Sequence, residues 1–253
     1  QEQSQLPSFG IGQVSNEVFP FAKILCDSIR SNNACTRPMF YMTWGRENGD
    51  QSNCANLSWL CTYEGMDSML NLRYRMMGED NEAYVSPVGA VWHYIRDNHP
   101  DIDLYTGDGS HPSIRGSYVA AITFYTTIFK KDPTLITFNS SLDESMANII
   151  KAAAKLIVFD DLQEWNVGVY DPVAAYSVQE ENNTLSFSSI AEYASEYLWD
   201  FGDGNSSNEA SPVHVYAEEG IYIVNLTVSD CSKEDTYSQT FMVSTDFDHD
   251  GFS

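Results

Sequence analysis

The hydrophobic pattern of the chain changes its period near Tyr170-Asp171-Pro172. Before this point, apolar residues recur at helical spacing, as in residues 63–78, and short apolar segments separate the helical stretches. From residue 173 to residue 244 the helical period is lost and the pattern alternates; residues 221–228 combine period two with β-branched side chains. We therefore predict two domains, at residues 1–170 and 171–244, followed by an acidic segment at residues 245–253.

The first region alternates strands with helices. Short apolar strands are predicted at residues 39–43 and 83–86, and helices at 19–29, 63–78, 87–97, 114–129 and 143–157. Residues 1–5 are interpreted as the end of a further strand. This alternation predicts an α/β domain with a doubly wound parallel sheet flanked by helices. The second region has several short strands joined by Gly, Asn and Ser turns, which predicts a small all-β sandwich.

The net charge of the chain limits the kinds of molecule that it is expected to bind. The chain has 36 acidic and 13 basic residues and a formal net charge of −23. This argues against nucleic acid and anionic membrane as partners and suits an extracellular protein. No apolar run approaches the roughly 20 residues that a membrane-spanning helix needs, so no membrane span is expected. The chain begins abruptly with a polar pentapeptide, which we interpret as the removal or absence of upstream sequence and not as evidence for a cytoplasmic location.

Four of the five cysteines form two close pairs near the start of the chain. We predict disulfides Cys26–Cys35 and Cys54–Cys61, with reduced buried thiols as the alternative, because spacing does not fix connectivity. Cys231 is left over and is expected to be free or paired outside this chain. No histidine lies near the four at zinc spacing, so a zinc site is not expected.

An aspartate precedes a histidine by three positions in the turn Asp108-Gly109-Ser110-His111-Pro112. A histidine can take a proton from a nucleophile while a carboxylate holds its ring in the correct tautomer, so this pair suits a hydrolase. The alternative is an ordinary surface turn.

Arg46 and Asn48 follow the predicted strand 39–43, and in a parallel sheet the carboxyl ends of the strands carry the site, so both are candidate substrate contacts. Their alternative is a solvated loop.

Several separated blocks resemble the last catalytic block of the SGNH (GDSL-type) hydrolases. They are Pro87-Val88-Gly89-Ala90-Val91-Trp92, Asp103-Leu104-Tyr105, Asp108-Gly109-Ser110-His111-Pro112-Ser113 and Gly116-Ser117-Tyr118. The resemblance covers about residues 1–168 and implies that His111 is the base and Asp108 its orienter. It also implies an oxyanion donor near the start, where Gln1, Gln3 and Ser4 stand and the usual Gly-x-Asn is missing. The nucleophilic serine block of that family is absent from these 253 residues.

The second region resembles the PKD domain, an immunoglobulin-like sandwich. The residues that carry this resemblance are Trp199-Asp200-Phe201-Gly202-Asp203-Gly204, Ser211-Pro212-Val213-His214-Val215-Tyr216 and Gly220-Ile221-Tyr222-Ile223-Val224. His214 lies inside this pattern and is interpreted as structural. The glycine-rich turn is not a phosphate loop, since no helix follows it. The resemblance implies a module for glycan or protein contact.

Three acids at alternate positions precede a glycine at the end of the chain. Asp246, Asp248, Asp250 and Gly251 match the start of a calcium loop and resemble EF-hand-like and thrombospondin type 3 repeats. Calcium is the one cofactor expected, and none is expected for catalysis. The alternative is a solvated acidic tail.

Two functions from different classes remain open. The first is a secreted SGNH-type serine ester hydrolase, acting on acylated carbohydrate or another ester, with an accessory PKD module. The second is a non-enzymatic extracellular surface or adhesion protein, because the nucleophile block is absent.

Overall fold

The structure is a computed structural model that describes residues 16–231 and 233–244. It divides into two compact units with the boundary between Val169 and Tyr170. Unit 1 denotes the described residues up to Val169, and unit 2 denotes those from Tyr170 onward.

Unit 1 is mainly helical. Its α-helices are α1 (Phe19–Asn32), α2 (Tyr63–Asp80), α3 (Val88–Asn98), α4 (Ile114–Phe129) and α5 (Glu144–Ile157). Its strands are β1 (Met39–Tyr41) and β2 (Tyr84–Ser86), and short 3-10 turns occur at Ser58–Cys61, Pro133–Leu135 and Phe159–Trp165.

Local sequence sets where three of these helices begin. The side chain of Thr62 accepts the Gly65 N–H before α2, and Asp143 accepts the Met146 N–H before α5. Ser113 accepts two backbone N–H groups at the start of α4. Each cap satisfies donors that a helix start leaves without an intrahelical partner. Because Ser113 follows the turn at residues 106–112, its cap fixes where that turn meets the helix.

The expected doubly wound sheet is not found in the described residues. There the parallel pairing consists of β1 and β2 alone, in the register Met39↔Tyr84, Phe40↔Val85, Tyr41↔Ser86. Each strand is three residues long, and the helices supply most of the core of unit 1. The strand predicted at residues 1–5 lies outside the described residues.

Two stacked indole rings form the centre of the unit 1 core. Trp44 and Trp92 lie 4.0 Å apart with an interplanar angle of 2°, and Tyr105 contacts Trp92 edge-on at 5.0 Å. A Cβ on Gly116 would lie 2.4 Å from the Trp92 ring and 2.3 Å from the Leu104 carbonyl oxygen. Glycine at this position therefore lets α4 approach the stack closely.

Unit 2 is a two-sheet β-sandwich. Its strands are β3 (Tyr176–Glu181), β4 (Thr184–Ser189), β5 (Glu196–Asp200), β6 (Ser206–Ser207), β7 (Val213–Val215), β8 (Gly220–Asp230) and β9 (Lys233–Val243). One sheet has the order β3-β4-β7 and the other β6-β5-β8-β9, and every pairing in both is antiparallel. Alternate residues of these strands point inward, and the core includes Phe187, Trp199, Tyr216 and Leu226.

The cysteines only partly follow the sequence prediction. Cys54–Cys61 is a disulfide with a Cα–Cα distance of 4.7 Å, as predicted. The predicted Cys26–Cys35 bridge is wrong, because Cys26 is a buried free thiol. α1 continues from Cys26 to Asn32, which carries the chain about 9 Å along the axis before the loop that contains Cys35. Cys35 is disulfide-bonded, and so is Cys231, for which we had expected no partner in the chain.

No helix in the described part of the chain is both long and apolar enough to cross a membrane.

Candidate functional site

The Asp108–His111 segment is a tight turn closed by backbone hydrogen bonds. The Thr106 N–H donates to the His111 carbonyl at 2.8 Å, and the Gly109 N–H donates to the Thr106 carbonyl at 3.0 Å. Gly109 has φ +65°, in the left-handed region that favours glycine. A β-bridge between Tyr105 and Pro112 closes the base of the turn.

Asp108 and His111 form a hydrogen-bonded pair within this turn. Asp108 Oδ2 lies 2.5 Å from His111 Nδ1. The other carboxylate oxygen, Oδ1, accepts from the Ser110 N–H, the His111 N–H and the Thr106 hydroxyl, each at 2.9 Å. The hydrogen bond from the His111 ring, together with these backbone donors, holds the pKa of Asp108 well below its ordinary value. Asp108 is therefore ionised and acts only as an acceptor.

This geometry fixes the tautomer of His111. An ionised carboxylate cannot donate, so the hydrogen between the two residues belongs to Nδ1. In the neutral ring Nε2 then carries the lone pair, and within the described part of the chain it has no hydrogen-bond partner. The His111 side chain is 78% exposed. The pair is thus arranged as an oriented base whose accepting nitrogen is open to a reacting group.

The loop after β1 packs against the turn. The Glu47 N–H donates to the Gly109 carbonyl at 2.8 Å, and the Trp44 indole N–H donates to the Ser110 carbonyl at 3.1 Å. These contacts place the backbone of Glu47, the residue between Arg46 and Asn48, against the turn. Arg46 Nη1 lies 3.6 Å from Asp50 Oδ1, and Asn48 is exposed.

The remaining candidate residues lie outside the described residues. These are the oxyanion candidates Gln1, Gln3 and Ser4 and the calcium candidates Asp246, Asp248 and Asp250. Within residues 16–231 and 233–244, no group of three or more His, Cys, Asp or Glu side chains is placed to hold a metal ion.

The sequence reasoning missed a second histidine with acidic partners. His93 on α3 lies with Nδ1 2.9 Å from Asp67 Oδ2 on α2 and Nε2 3.1 Å from Asp97 Oδ2. The hydrogen bond to Asp67 raises the pKa of His93. Both ring nitrogens are occupied, so this imidazole joins two helices and is not available as a base. The spacing of four between His93 and Asp97 was visible in the sequence, but the contact with Asp67 was not.

His214 in unit 2 is a packing residue. Its ring stacks on Phe201 at 4.1 Å with an interplanar angle of 4°, and its Nε2 lies 2.8 Å from Asp203 Oδ2. The Tyr216 hydroxyl donates to the Phe201 carbonyl at 2.9 Å. These contacts join β7 to the glycine-containing turn after β5.

Comparisons with known proteins agree with the fold of unit 2. Residues 170–245 match the model of the PKD domain family. A segment of 44 residues is 54% identical to collagenase ColA of Bacillus cereus, covering 17% of this chain and 5% of that protein. A segment of 50 residues is 50% identical to the pre-pro-metalloprotease PrtV of Vibrio cholerae, covering 19% of this chain and 5% of that protein. The chain therefore spans only about 5% of the length of these curated relatives.

Two solved structures are similar to parts of this chain. The PKD1 domain of the Vibrio cholerae metalloprotease PrtV is 36% identical, covers 30% of this chain and 99% of its own, and has a TM-score of 0.29. A DUF4886 family protein from Bacteroides uniformis is 17% identical, covers 58% of this chain and 57% of its own, and has a TM-score of 0.49.

Unit 2 is a PKD-like β-sandwich by its two antiparallel sheets and its core. More narrowly, residues 170–245 are a PKD domain, as the sequence resemblance predicted. The SGNH resemblance of unit 1 rests on its sequence motifs.

Proposed function

We propose that unit 1 belongs to an SGNH-type ester hydrolase in which His111 is the general base and Asp108 orients it. The observation that supports this most is the 2.5 Å contact between Asp108 Oδ2 and His111 Nδ1, with Nε2 left open. In this proposal Nε2 takes a proton from a serine hydroxyl as the serine oxygen attacks the ester carbonyl. Nε2 then gives that proton to the departing alcohol. The serine is supplied by sequence other than these 253 residues. The substrate class is acylated carbohydrate or a related ester.

The loop at residues 45–48 supports the same proposal. The backbone contact of Glu47 with Gly109 supports a role for the neighbouring Arg46 and Asn48 as substrate contacts. Gln1, Gln3 and Ser4 remain candidates for oxyanion contacts.

Ester hydrolysis by the natural full-length protein tests this proposal. His111→Ala removes the base and is expected to lower kcat/KM for an acetylated oligosaccharide by several orders of magnitude. Asp108→Asn is expected to cost less, because it leaves the base but misorients it. The matched control is His99→Ala, which removes a histidine outside the turn. Wild-type turnover in the His111→Ala protein would remove His111 from the mechanism.

A non-enzymatic extracellular role is the second candidate. It is favoured by the absence of a hydroxyl partner for His111 Nε2 among the described residues. Labelling of the natural protein with a serine-directed phosphonate separates the two. An adduct on an upstream serine favours the hydrolase, and no adduct, together with no turnover, favours the surface protein.

We further propose that the PKD domain is an extracellular accessory module that contacts glycan or protein. Two observations support an oxidising location outside the cytoplasm: the Cys54–Cys61 disulfide and the bonded state of Cys35 and Cys231. Calcium at Asp246, Asp248 and Asp250 remains part of this proposal.

A further inference from the structure

We propose that a cavity beside the Asp108–His111 turn is the acyl pocket of the ester substrate and that it accepts an aliphatic chain. This inference deepens the proposed function and rests on it. The cavity has a volume of about 400 Å³ and lies where the turn meets α4. Its apolar walls come from Pro112, Ile114, Tyr118, Ala121 and Phe138, and its hydroxyls from Thr106, Ser113, Ser117 and Ser140.

The cavity adjoins the turn that carries the base and its orienter, although His111 and Asp108 do not themselves line it. Thr106, one wall of the cavity, donates its hydroxyl to Asp108 Oδ1 at 2.9 Å and its backbone N–H to the His111 carbonyl at 2.8 Å. Pro112, another wall, immediately follows His111. A chain bound in the cavity would therefore lie beside the turn that carries the base, with Thr106 and Pro112 between the chain and the Asp108–His111 pair.

The lining favours an uncharged, apolar ligand. None of the lining residues is Asp, Glu, Lys, Arg or His, although the chain carries a net charge of −23. The Tyr118 hydroxyl donates to the Phe138 carbonyl at 2.8 Å, and the Ser113 hydroxyl donates to the Asp103 carbonyl at 2.8 Å. The hydroxyls of Tyr118, Ser113 and Thr106 are thus occupied, which leaves Ser117 and Ser140 as the other hydroxyls in a lining that is otherwise carbon.

Two apolar side chains stand open to solvent at this cavity. Ile114 is 64% exposed and Phe138 is 72% exposed. Covering them with a hydrocarbon chain would remove apolar surface from water, which is a favourable transfer. The cavity on the other side of Ile114 differs, because Arg115 and Asp143 line it. The charged cavity suits the polar part of a substrate, so the uncharged one is assigned to the acyl chain.

Binding of methyl esters of increasing chain length tests this assignment. The His111→Ala form of the natural protein is titrated with methyl butanoate, methyl hexanoate and methyl octanoate, and Kd is measured by saturation-transfer NMR. Each added methylene that becomes buried should tighten binding by roughly two- to fourfold. Ala121→Trp, which fills the cavity from α4, should abolish this dependence on chain length. The matched control Ile128→Trp enlarges an exposed residue of the same helix outside the cavity and should leave the dependence unchanged.

The outcomes separate this assignment from the proposed function. Absence of saturable binding, equal Kd values along the series, or tighter binding that persists in Ala121→Trp would overturn the acyl pocket. Binding of methyl β-glucoside that Ala121→Trp blocks, without ester binding, would also overturn it in favour of a sugar site. Hydrolysis that requires His111 but shows no chain-length dependence of binding would leave the hydrolase standing and remove the pocket. A chain-length dependence that Ala121→Trp abolishes, with no hydrolysis by the unmutated protein, would support the pocket and refute the hydrolase.

Discussion

Replacing His93 with phenylalanine should destabilise unit 1 by an amount that depends on pH. His93 bonds Asp67 at 2.9 Å and Asp97 at 3.1 Å, and phenylalanine keeps an aromatic ring beside Tyr63, 5.8 Å away in the native protein. A hydrogen bond between charged groups contributes about 1.5–3 kcal/mol. The His93 side chain is 42% exposed, so solvent screening reduces this figure. We expect a loss of about 1–2 kcal/mol near pH 6, almost all of it from the bond to Asp67.

The sign of the pH dependence follows from the raised pKa of His93. The hydrogen bond to Asp67 raises it above 6.5, the charges of Asp97 and Glu64 add to this, and burial opposes them. A positive charge is also nearby: the Arg96 guanidinium packs over the ring of Tyr63, 4.1 Å from its centroid, and Tyr63 is the ring beside His93. Since the folded-state pKa exceeds the unfolded one, the stabilisation is complete below about pH 6.5 and is lost as pH rises through the folded-state pKa.

Urea unfolding of both proteins from pH 5.5 to pH 9 provides the assay. The difference in unfolding free energy should be largest at the acidic end and should shrink by about 1 kcal/mol toward pH 9. The other histidines titrate in both proteins and cancel in this difference. His93→Gln is the matched control, because glutamine keeps a neutral N–H donor but does not titrate. The difference in unfolding free energy between His93→Gln and His93→Phe should therefore not change as an imidazole titrates. A difference that is flat with pH, or that grows as pH rises, would refute the reasoning, and so would an NMR titration of His93 with a midpoint at or below 6.5.

Three further predictions concern the core, the free thiol and the acidic end of the chain. Gly116→Ala should destabilise unit 1 by about 1–3 kcal/mol in thermal unfolding despite the better helix propensity of alanine, because the new Cβ would overlap Trp92 and Leu104. The control Gly107→Ala, whose Cβ would meet nothing within 4 Å, should be neutral, and equal effects of the two substitutions would contradict the packing argument. Burial raises the pKa of Cys26, so iodoacetamide should label this one thiol slowly in the folded protein and fast in urea; two or more reactive thiols would be inconsistent with the bonded state of the other four cysteines. Asp248→Ala in the natural full-length protein should reduce calcium binding measured by calorimetry, with Asp101→Ala as the control acid; identical heats for both variants would make residues 246–250 a solubilising segment.

Sequence periodicity predicted the helices well because their signals are local. α4 spans Ile114–Phe129, the range that its apolar pattern indicated, and the caps at Ser113 and Asp143 are hydroxyl and carboxylate side chains of the expected kind. The sandwich of unit 2 was equally predictable, since alternation and turn residues define each strand within a short window.

The features that the sequence did not predict depend on distant parts of the chain. The extent of a parallel sheet is decided by which segments meet, and the three-residue strands β1 and β2 carry no signal for that. Cysteine spacing suggested Cys26–Cys35, but Cys26 is a buried free thiol on α1 and Cys35 is bonded to a different cysteine. The contact of His93 with Asp67 joins residues on two helices, whereas the pair Asp108–His111 lies within one turn and could be proposed from its motif.

Two parts of the candidate site, the turn that carries His111 and the start of α4, both pack against the stacked rings of Trp44 and Trp92. Trp44 packs flat on Trp92 and donates its indole N–H to Ser110, so the stack holds the turn that carries His111. Gly116 packs on the same Trp92 ring, so the stack also sets the start of α4 and hence one wall of the proposed acyl cavity. A substitution that shifts Trp92 must therefore move the base and the cavity together, whereas one at Ala121 changes the cavity alone. Comparing the two kinds of variant distinguishes a loss of catalytic geometry from a loss of substrate fit.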